Sequence, residues 1–258
     1  MKTKCRCDII IPVCNKFAYT RLCLGKLLQN TDIFFNLVLI DNGSADRTQK
    51  FFMDFSSPNL NLIYLRNEDN KGPIVAYNQG IKLGKSDYVC LMHNDVLIFE
   101  KGWLSTILDL MDENKDIGII GLAGRKSINK KGLVDESTLV HNLRNEDLNE
   151  IMRKSIEEVA VIDGLCFIVR RKILSATEGL DEAYGYMHCY DLDISMASID
   201  LGYCNVVARI DAMHISNGGI TRRTPSYRSL VKDDYSLLNV NYKKFSRKWR
   251  KLLPRETF

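Results

Sequence analysis

The 258 residues are 45% apolar and 26% charged with only 16 glycines and 5 prolines, a composition that buries a core and excludes disordered and fibrous chains. The length suits one large domain with an appendage rather than two full domains. The net charge of +4 is concentrated in a tail, Lys243 to Phe258, with seven basic residues against one acidic, so the body is close to neutral and a nucleic-acid-binding role has little support.

Cys7 to Val13 is a short apolar run with β-branched character and reads as a buried strand. Phe17, Leu24, Leu27 and Leu28 recur at helical spacing after it. Asn36 to Ile40 (NLVLI) is a second buried strand ending at Asp41, and the Asn42-Gly43-Ser44 turn leads into a helix over about Asp46 to Phe55. Asn61 to Leu65 is strand three, Pro73 to Leu83 a helix, and Tyr88 to Met92 strand four, followed by His93-Asn94-Asp95. Continuous apolar strands alternating with helices predict a parallel sheet covered on both faces.

The second half is less regular. Gly102 to Met111 reads as helix, Ile117 to Leu122 as strand, and Arg125 to Asn149 as a long polar excursion on the surface. Val159 to Val169 is strand-like but interrupted at Asp163-Gly164, and Asp191 to Leu201 has helical spacing. From Tyr227 to Leu253 the chain again reads as helix, with Tyr242, Phe245, Trp249, Leu252 and Leu253 on one stripe. That stripe either packs against its own domain, the favoured reading, or lies on an anionic membrane, with the flanking charges left to attract a membrane or an anionic glycan.

The eight cysteines are scattered, with no C-x-x-C pair, which predicts thiols in a reducing cytoplasm and argues against a zinc module. The beginning, MKTKCRCDIIIPV, lacks the apolar stretch of a signal peptide, and no run approaches the roughly 18 residues of a membrane span. A cytoplasmic protein, soluble or attached peripherally to the inner face of a membrane, is expected.

Three polar clusters fall where ligands bind in an open parallel sheet, beyond the carboxyl ends of the strands. They are Pro12-Val13-Cys14-Asn15, Asp41-Asn42-Gly43-Ser44 and His93-Asn94-Asp95. Singly, each is as good a turn or helix cap as a site; their placement on one edge is informative.

With IIIPVCN at 9–15, VLIDNGSADRT at 38–48, NKGPIVAYNQGIKLGKSDYVCLMHNDV at 70–96, GLCFIVRRKIL at 164–174, YDLDIS at 190–195 and His214 in this order, the sequence resembles the family 2 glycosyltransferases. The resemblance implies an α/β fold of the GT-A type, Rossmann-like, with a mostly parallel central sheet flanked by helices. It implies a catalytic domain over 1–220 and leaves 221–258 as a basic helical extension. The implied reaction is metal-dependent, inverting transfer of a sugar from a nucleotide-diphosphate-sugar to a hydroxyl of a glycan or lipid-linked acceptor.

The same resemblance assigns residues. Asp41 matches the acidic residue that accepts hydrogen bonds from the nucleotide base; Pro12, Val13 and Asn15 line that pocket, and Asn70, Lys71, Gly72 and Asn78 lie beside the donor. An exposed lysine is an equally good reading of Lys71. His93-Asn94-Asp95 takes the place of the D-x-D motif, with Asp95 as ligand of Mn²⁺ or Mg²⁺, His214 as the second ligand, and His93 and Asn94 facing the donor. His93 replaces an acidic residue, and Tyr190 replaces a glutamate. Asp191 is the expected general base. Asp193 competes for that role, although at about 100° per helical residue the two carboxylates point to different sides. Apart from the resemblance, Arg222 and Arg223 after the Ser216-Asn217-Gly218-Gly219 hinge suit a loop that closes over the diphosphate, and a functionless surface loop is an equally good reading.

Two other readings are weaker. A nucleotidyltransferase would carry a Gly-rich phosphate loop after strand one, where this chain has PVCNKF. A non-catalytic glycan-binding derivative of the fold would explain His93 and Tyr190.

Overall fold

The computed structural model describes residues 5–144, 152, 154–215 and 225–257. In chain order, the first half consists of β1 (Cys7–Val13), α1 (Phe17–Asn30), β2 (Phe35–Asn42), α2 (Thr48–Asp54), β3 (Leu60–Asn67), α3 (Pro73–Leu83), β4 (Tyr88–Met92), β5 (Val96–Ile98) and α4 (Trp103–Glu113). Then come β6 (Ile117–Gly121), β7 (Ala123–Arg125), β8 (Ser127–Ile128), β9 (Leu139–His141), β10 (Ile156–Val159), β11 (Val161–Ile162), β12 (Cys166–Arg170) and α5 (Arg171–Ala176). The chain continues through α6 (Tyr190–Asp200), β13 (Cys204–Ala208), β14 (Ala212–His214), α7 (Pro225–Leu230), α8 (Asp234–Lys248) and β15 (Arg255–Glu256).

The main sheet has eight strands in the order β10-β13-β6-β12-β4-β1-β2-β3. β3, β2, β1 and β4 run parallel, as do β13 and β6, while β12 is inserted antiparallel between β4 and β6. Because side chains alternate along a strand, Ile9, Ile11, Leu37 and Leu39 face one core with Leu24, Leu27, Trp103, Leu104 and Met111 of α1 and α4. Ile10, Val38, Ile40, Val89 and Leu91 face the other, filled by Ile74, Tyr77, Met196 and Phe245. Burial on both faces is what made these strands continuous apolar runs in the sequence.

The expected polar excursion at Arg125 to Asn149 is corrected over its described part. β7, β9 and β11 form a three-stranded sheet, and Val140, His141 and Leu143 are buried. Strands of two or three residues are too short to show a period. The segment Val159 to Val169 is divided among β10, β11 and β12, which belong to two sheets. The carboxyl-terminal helix is broken before α8, whose start is capped by Asp233 accepting from Ser236 N. Its stripe packs inward: Phe245 is fully buried, with Tyr242, Trp249 and Leu252 beside it, and Lys243, Lys244, Arg247 and Arg250 are exposed. All eight cysteines are free thiols. Among the described residues no helix is long and apolar enough to cross a membrane.

Candidate active site

Strand pairing assembles the site at the carboxyl end of the parallel strands. Since β12 runs antiparallel, its start lies beside the end of β4: Cys166 pairs with Met92, and His93 N donates to Leu165 O at 2.9 Å. Gly164 is thereby set next to the His93-Asn94-Asp95 turn. β14 pairs antiparallel with β5, placing His214 opposite Val96, and Ile215 N donates to Asp95 O at 3.0 Å.

The outcome is a cluster of His93, Asp95 and His214 whose ligand atoms all lie within 4.8 Å of one another. Asp95 Oδ1 is 3.3 Å from His214 Nε2. Ligand atoms around an ion with bonds of about 2.1 Å stand about 3 Å apart in neighbouring positions and about 4.2 Å apart in opposite ones, so two imidazoles and a carboxylate at these spacings suit a divalent cation. Burial pushes the His93 imidazole down to about 4; the Asp95 carboxylate opposes the shift, and His214 and Lys16 add to it. His93 is therefore neutral at pH 7, with a lone pair to offer.

Asp191 stands in the first turn of α6, part-buried. Its Oδ2 accepts from Gly164 N at 2.8 Å and its Oδ1 from Leu192 N at 3.0 Å. Burial raises its carboxyl to about 6, Asp163 adds to the rise, and the two N–H groups oppose it. A carboxylate of that kind ionises just below neutrality, where a general base is most useful. The preceding residue, Tyr190, places its hydroxyl 3.3 Å from His93 Nε2 and 3.3 Å from Gly164 O, so one side chain links the α6 turn to the cation cluster. Gly164 has to be glycine here, because a Cβ would collide with the Tyr190 hydroxyl.

The competing reading of Asp193 is overturned by its surroundings. Its Oδ1 accepts from Tyr184 Oη at 2.8 Å and Trp249 Nε1 at 2.7 Å, and its Oδ2 from Lys248 Nζ at 2.9 Å. Two residues along the helix, it faces α8 and docks the tail.

At the neighbouring strand ends, Asp41 pairs across to Val13 of β1. It is fully buried: Oδ1 accepts from Ser44 N at 2.8 Å, and Oδ2 from Tyr64 Oη at 2.8 Å and Arg66 Nη1 at 2.6 Å. The carboxylate is thus covered by a guanidinium and a phenol rather than presented openly. Pro12 leads into Val13, and Asn15, with a left-handed φ of 58°, joins the two loops: its N–H donates to Ser44 Oγ and its Oδ1 accepts from Ala45 N, both at 2.8 Å. Asn70 Oδ1 accepts from Gly72 N at 3.0 Å, and Gly72, at φ 84°, lies against Tyr186 too closely for a Cβ.

Several assigned residues are engaged elsewhere. The amide of Asn78 is engaged with Leu180 N, Leu180 O and Glu182, because it lies a turn inside α3 and faces the 178–182 loop. Asn94 Nδ2 donates to Thr20 Oγ1 at 2.9 Å, which secures the His93-Asn94-Asp95 turn to α1. Lys71 is exposed and paired with Asp69. Arg222 and Arg223 lie outside the described residues.

Four contributors escaped the sequence reading of the site. Tyr190 looked like a loss because it replaces an acid, Gly164 looked like a strand break, and Asp163, paired with Arg125 Nη1 at 2.6 Å, bears on the site through its charge on Asp191 and Tyr190. Lys16, with a left-handed φ of 57°, is half-buried at the cluster: burial lowers its pKa and the Asp95 carboxylate opposes the drop. Two successive left-handed non-glycine residues, Asn15 and Lys16, left no compositional signal.

The chain matches the glycosyl transferase family 2 model over residues 8–177, more than half its length, and belongs to that family. Among curated relatives, it is 24% identical over 114 residues to glycosyltransferase GlyG of Streptococcus pneumoniae, covering 44% of this chain and 38% of that one. It is 27% identical over 114 residues to a PGL/p-HBAD biosynthesis glycosyltransferase of Mycobacterium bovis, covering 44% of each. The chain thus spans less than half the length of these relatives. Among solved structures, mannosyltransferase PcManGT from Pyrobaculum calidifontis in complex with GDP-Man and Mn²⁺ superposes with a TM-score of 0.63 at 13% identity, covering 97% of this chain and 70% of that one. TarS 1-349 of S. aureus in complex with UDP-GlcNAc gives 0.60 at 18%, covering 83% and 62%. The fold is that of the GT-A glycosyltransferases.

Proposed function

We propose that this chain transfers a sugar from a nucleotide-diphosphate-sugar to a hydroxyl of a glycan or lipid-linked saccharide, with inversion and with a divalent cation. The observation that carries the reading is the single edge on which Asp191, held by Gly164 N and Leu192 N, is joined through Tyr190 to the His93-Asp95-His214 cluster. Mn²⁺ or Mg²⁺ bound by Asp95 and His214 would supply neutralisation of the charge that grows on the departing nucleoside diphosphate. Asp191 takes the proton from the acceptor hydroxyl as it attacks the anomeric carbon, and one displacement inverts that centre. Asp41, Asn15 and the Asn70-Lys71-Gly72 segment form the donor side, and Arg222 and Arg223 would contact the diphosphate. UDP-GlcNAc and GDP-Man on two structural neighbours support a nucleotide-sugar donor. The exposed bases of α8 suit peripheral contact with an anionic membrane on its cytoplasmic side.

The test is a thermal-shift screen of nucleoside diphosphates with Mn²⁺, followed by turnover of the matching nucleotide-sugars with and without EDTA. Stabilisation by one diphosphate and EDTA-sensitive release of it from its sugar are expected. Absence of binding and turnover across the common donors would defeat the assignment, and Asp95→Ala should abolish the metal response.

A further inference from the structure

We infer that His93 is a third protein ligand of the cation, fixed in its ligating tautomer by Tyr190, so that the site selects Mn²⁺, Co²⁺ or Zn²⁺ over Mg²⁺ and holds its ion before the donor arrives. This rests on the proposed glycosyl transfer for the ion's use, but not for its binding.

The hydrogen-bonding partners of Tyr190 suit one His93 tautomer. Tyr190 has one hydroxyl proton, and Gly164 O, 3.3 Å away, can only accept. We assign that proton to the carbonyl, which leaves the phenol oxygen to accept from His93 Nε2–H across the 3.3 Å contact. A neutral imidazole protonated at Nε2 carries its lone pair on Nδ1. Ligating histidines commonly pass their other ring N–H to a fixed acceptor, which sets the tautomer and ring orientation. Tyr190 is that acceptor, and Gly164 and the antiparallel start of β12 hold it in place. Main-chain bonds fix His93 in turn: its N–H donates to Leu165 O at 2.9 Å, and its carbonyl accepts from Val96 N at 3.4 Å.

The donor set then determines the ion. Asp95 alone supplies an anionic oxygen, and His93 and His214 supply imidazole nitrogens within the same 4.8 Å span. Mg²⁺ favours oxygen and gives up its water reluctantly, whereas imidazole affinity climbs from Mn²⁺ through Co²⁺. Three protein ligands also make a site that binds metal without help from the donor's phosphates.

The experiment titrates the metal-free full chain, without nucleotide, with MgCl₂, MnCl₂ and CoCl₂ by calorimetry. It also records proton NMR of the Co²⁺ form. Expected are Co²⁺ binding at least about 100-fold tighter than Mg²⁺, with Mn²⁺ between them, and two hyperfine-shifted, solvent-exchangeable imidazole N–H signals. His93→Ala should remove one signal and weaken Co²⁺ at least about tenfold; Tyr190→Phe should weaken it about 10–100-fold. His93→Asp should narrow the Co²⁺/Mg²⁺ gap. A single shifted N–H signal in the unaltered protein, equal affinities for Mg²⁺ and Co²⁺, or Co²⁺ affinity unchanged in His93→Ala would overturn the inference. The unaltered protein's spectrum decides the matter even if a variant fails to fold. Tight two-histidine Co²⁺ binding without turnover of any nucleotide-sugar would sink the proposed function alone. Metal-dependent turnover with one histidine signal would sink this inference alone.

Discussion

Replacing Asp191 by asparagine separates chemistry from binding. Burial and the neighbouring Asp163 raise this carboxyl from 3.8 to about 6. A base of that pKa is about 90% ionised at pH 7 and about 10% at pH 5, so turnover at saturating donor should fall about tenfold between those values. An aspartate at its ordinary 3.8 would stay above about 90% ionised at pH 5 and leave the profile nearly flat. The active form is deprotonated, so activity rises with pH through about 6. Stability runs the other way. A folded-state pKa above the unfolded one means the folded chain holds this proton more tightly, and that contribution is greatest in acid and is lost as pH rises through about 6. The assay is release of nucleoside diphosphate from pH 5 to 8, with calorimetric binding of the diphosphate alongside. Asp191→Asn should lose about 10²–10⁴ in turnover, lose the acid limb, and bind the diphosphate within about twofold of the parent. Its amide oxygen can accept from only one of Gly164 N and Leu192 N, a loss of about 1 kcal/mol that removal of the desolvated charge offsets at pH 7, so the melting temperature should stay within a few degrees of the parent. A parent profile flat down to pH 5, or an acid limb that survives in Asp191→Asn, would refute Asp191 as the base.

Asp163→Asn removes a like charge and should move the acid limb below pH 6, read from the same pH series; an unmoved limb would show that burial alone sets the Asp191 pKa. Asp41→Asn keeps an acceptor for Ser44 N but loses the charged bond to Arg66 at 2.6 Å. Because Arg66 is 30% exposed, the cost should lie near the low end for such bonds, about 1–2 kcal/mol, with diphosphate affinity down about tenfold by calorimetry; full affinity would take Asp41 out of the nucleotide pocket. Phe245→Ala empties a fully buried site over Gly132 and should cost about 3–5 kcal/mol, a fall of roughly 6–20 °C in melting temperature. A fall under about 2 °C would mean that α8 is not docked in solution.

The legible elements were those whose physics is local. β1, α3 and β4 have the bounds read from sequence, because a strand buried on both faces is a plain apolar run and Pro73 at the first turn marks a helix start. β5 and β14, of three residues each, carry no period, yet their pairing is what seats His214 beside Asp95. Asn78 and Asp193 show what spacing leaves open. Motif position put both near the chemistry, and only the three-dimensional surroundings, the 178–182 loop for one and α8 for the other, reveal that their polar atoms are already spent.

His93 and Tyr190 are the instructive pair. In the sequence they are two separate departures from a family pattern, each the loss of a carboxylate and each an argument for a weakened enzyme. In the fold they meet at 3.3 Å, and the second explains the first. A carboxylate at 190 could not donate to Gly164 O, and a carboxylate at 93 would have no ring N–H to give to a phenol. Together they exchange two anionic groups for two neutral ones, so a divalent ion held with Asp95 would keep a net charge of about +1 where carboxylates at all three positions would bring it to about −1. That residual charge would face the diphosphate of the proposed donor, with Lys16 adding to it at the same cluster. Reversing His93 alone to aspartate creates a repulsive pair with Asp95 and leaves the Tyr190 oxygen without a ring N–H to accept, its proton still donated to Gly164 O. Reversing both positions restores a coherent, more acidic site. The double variant should therefore bind Mg²⁺ better than the product of its two single effects, a coupling that two independent defects would not produce.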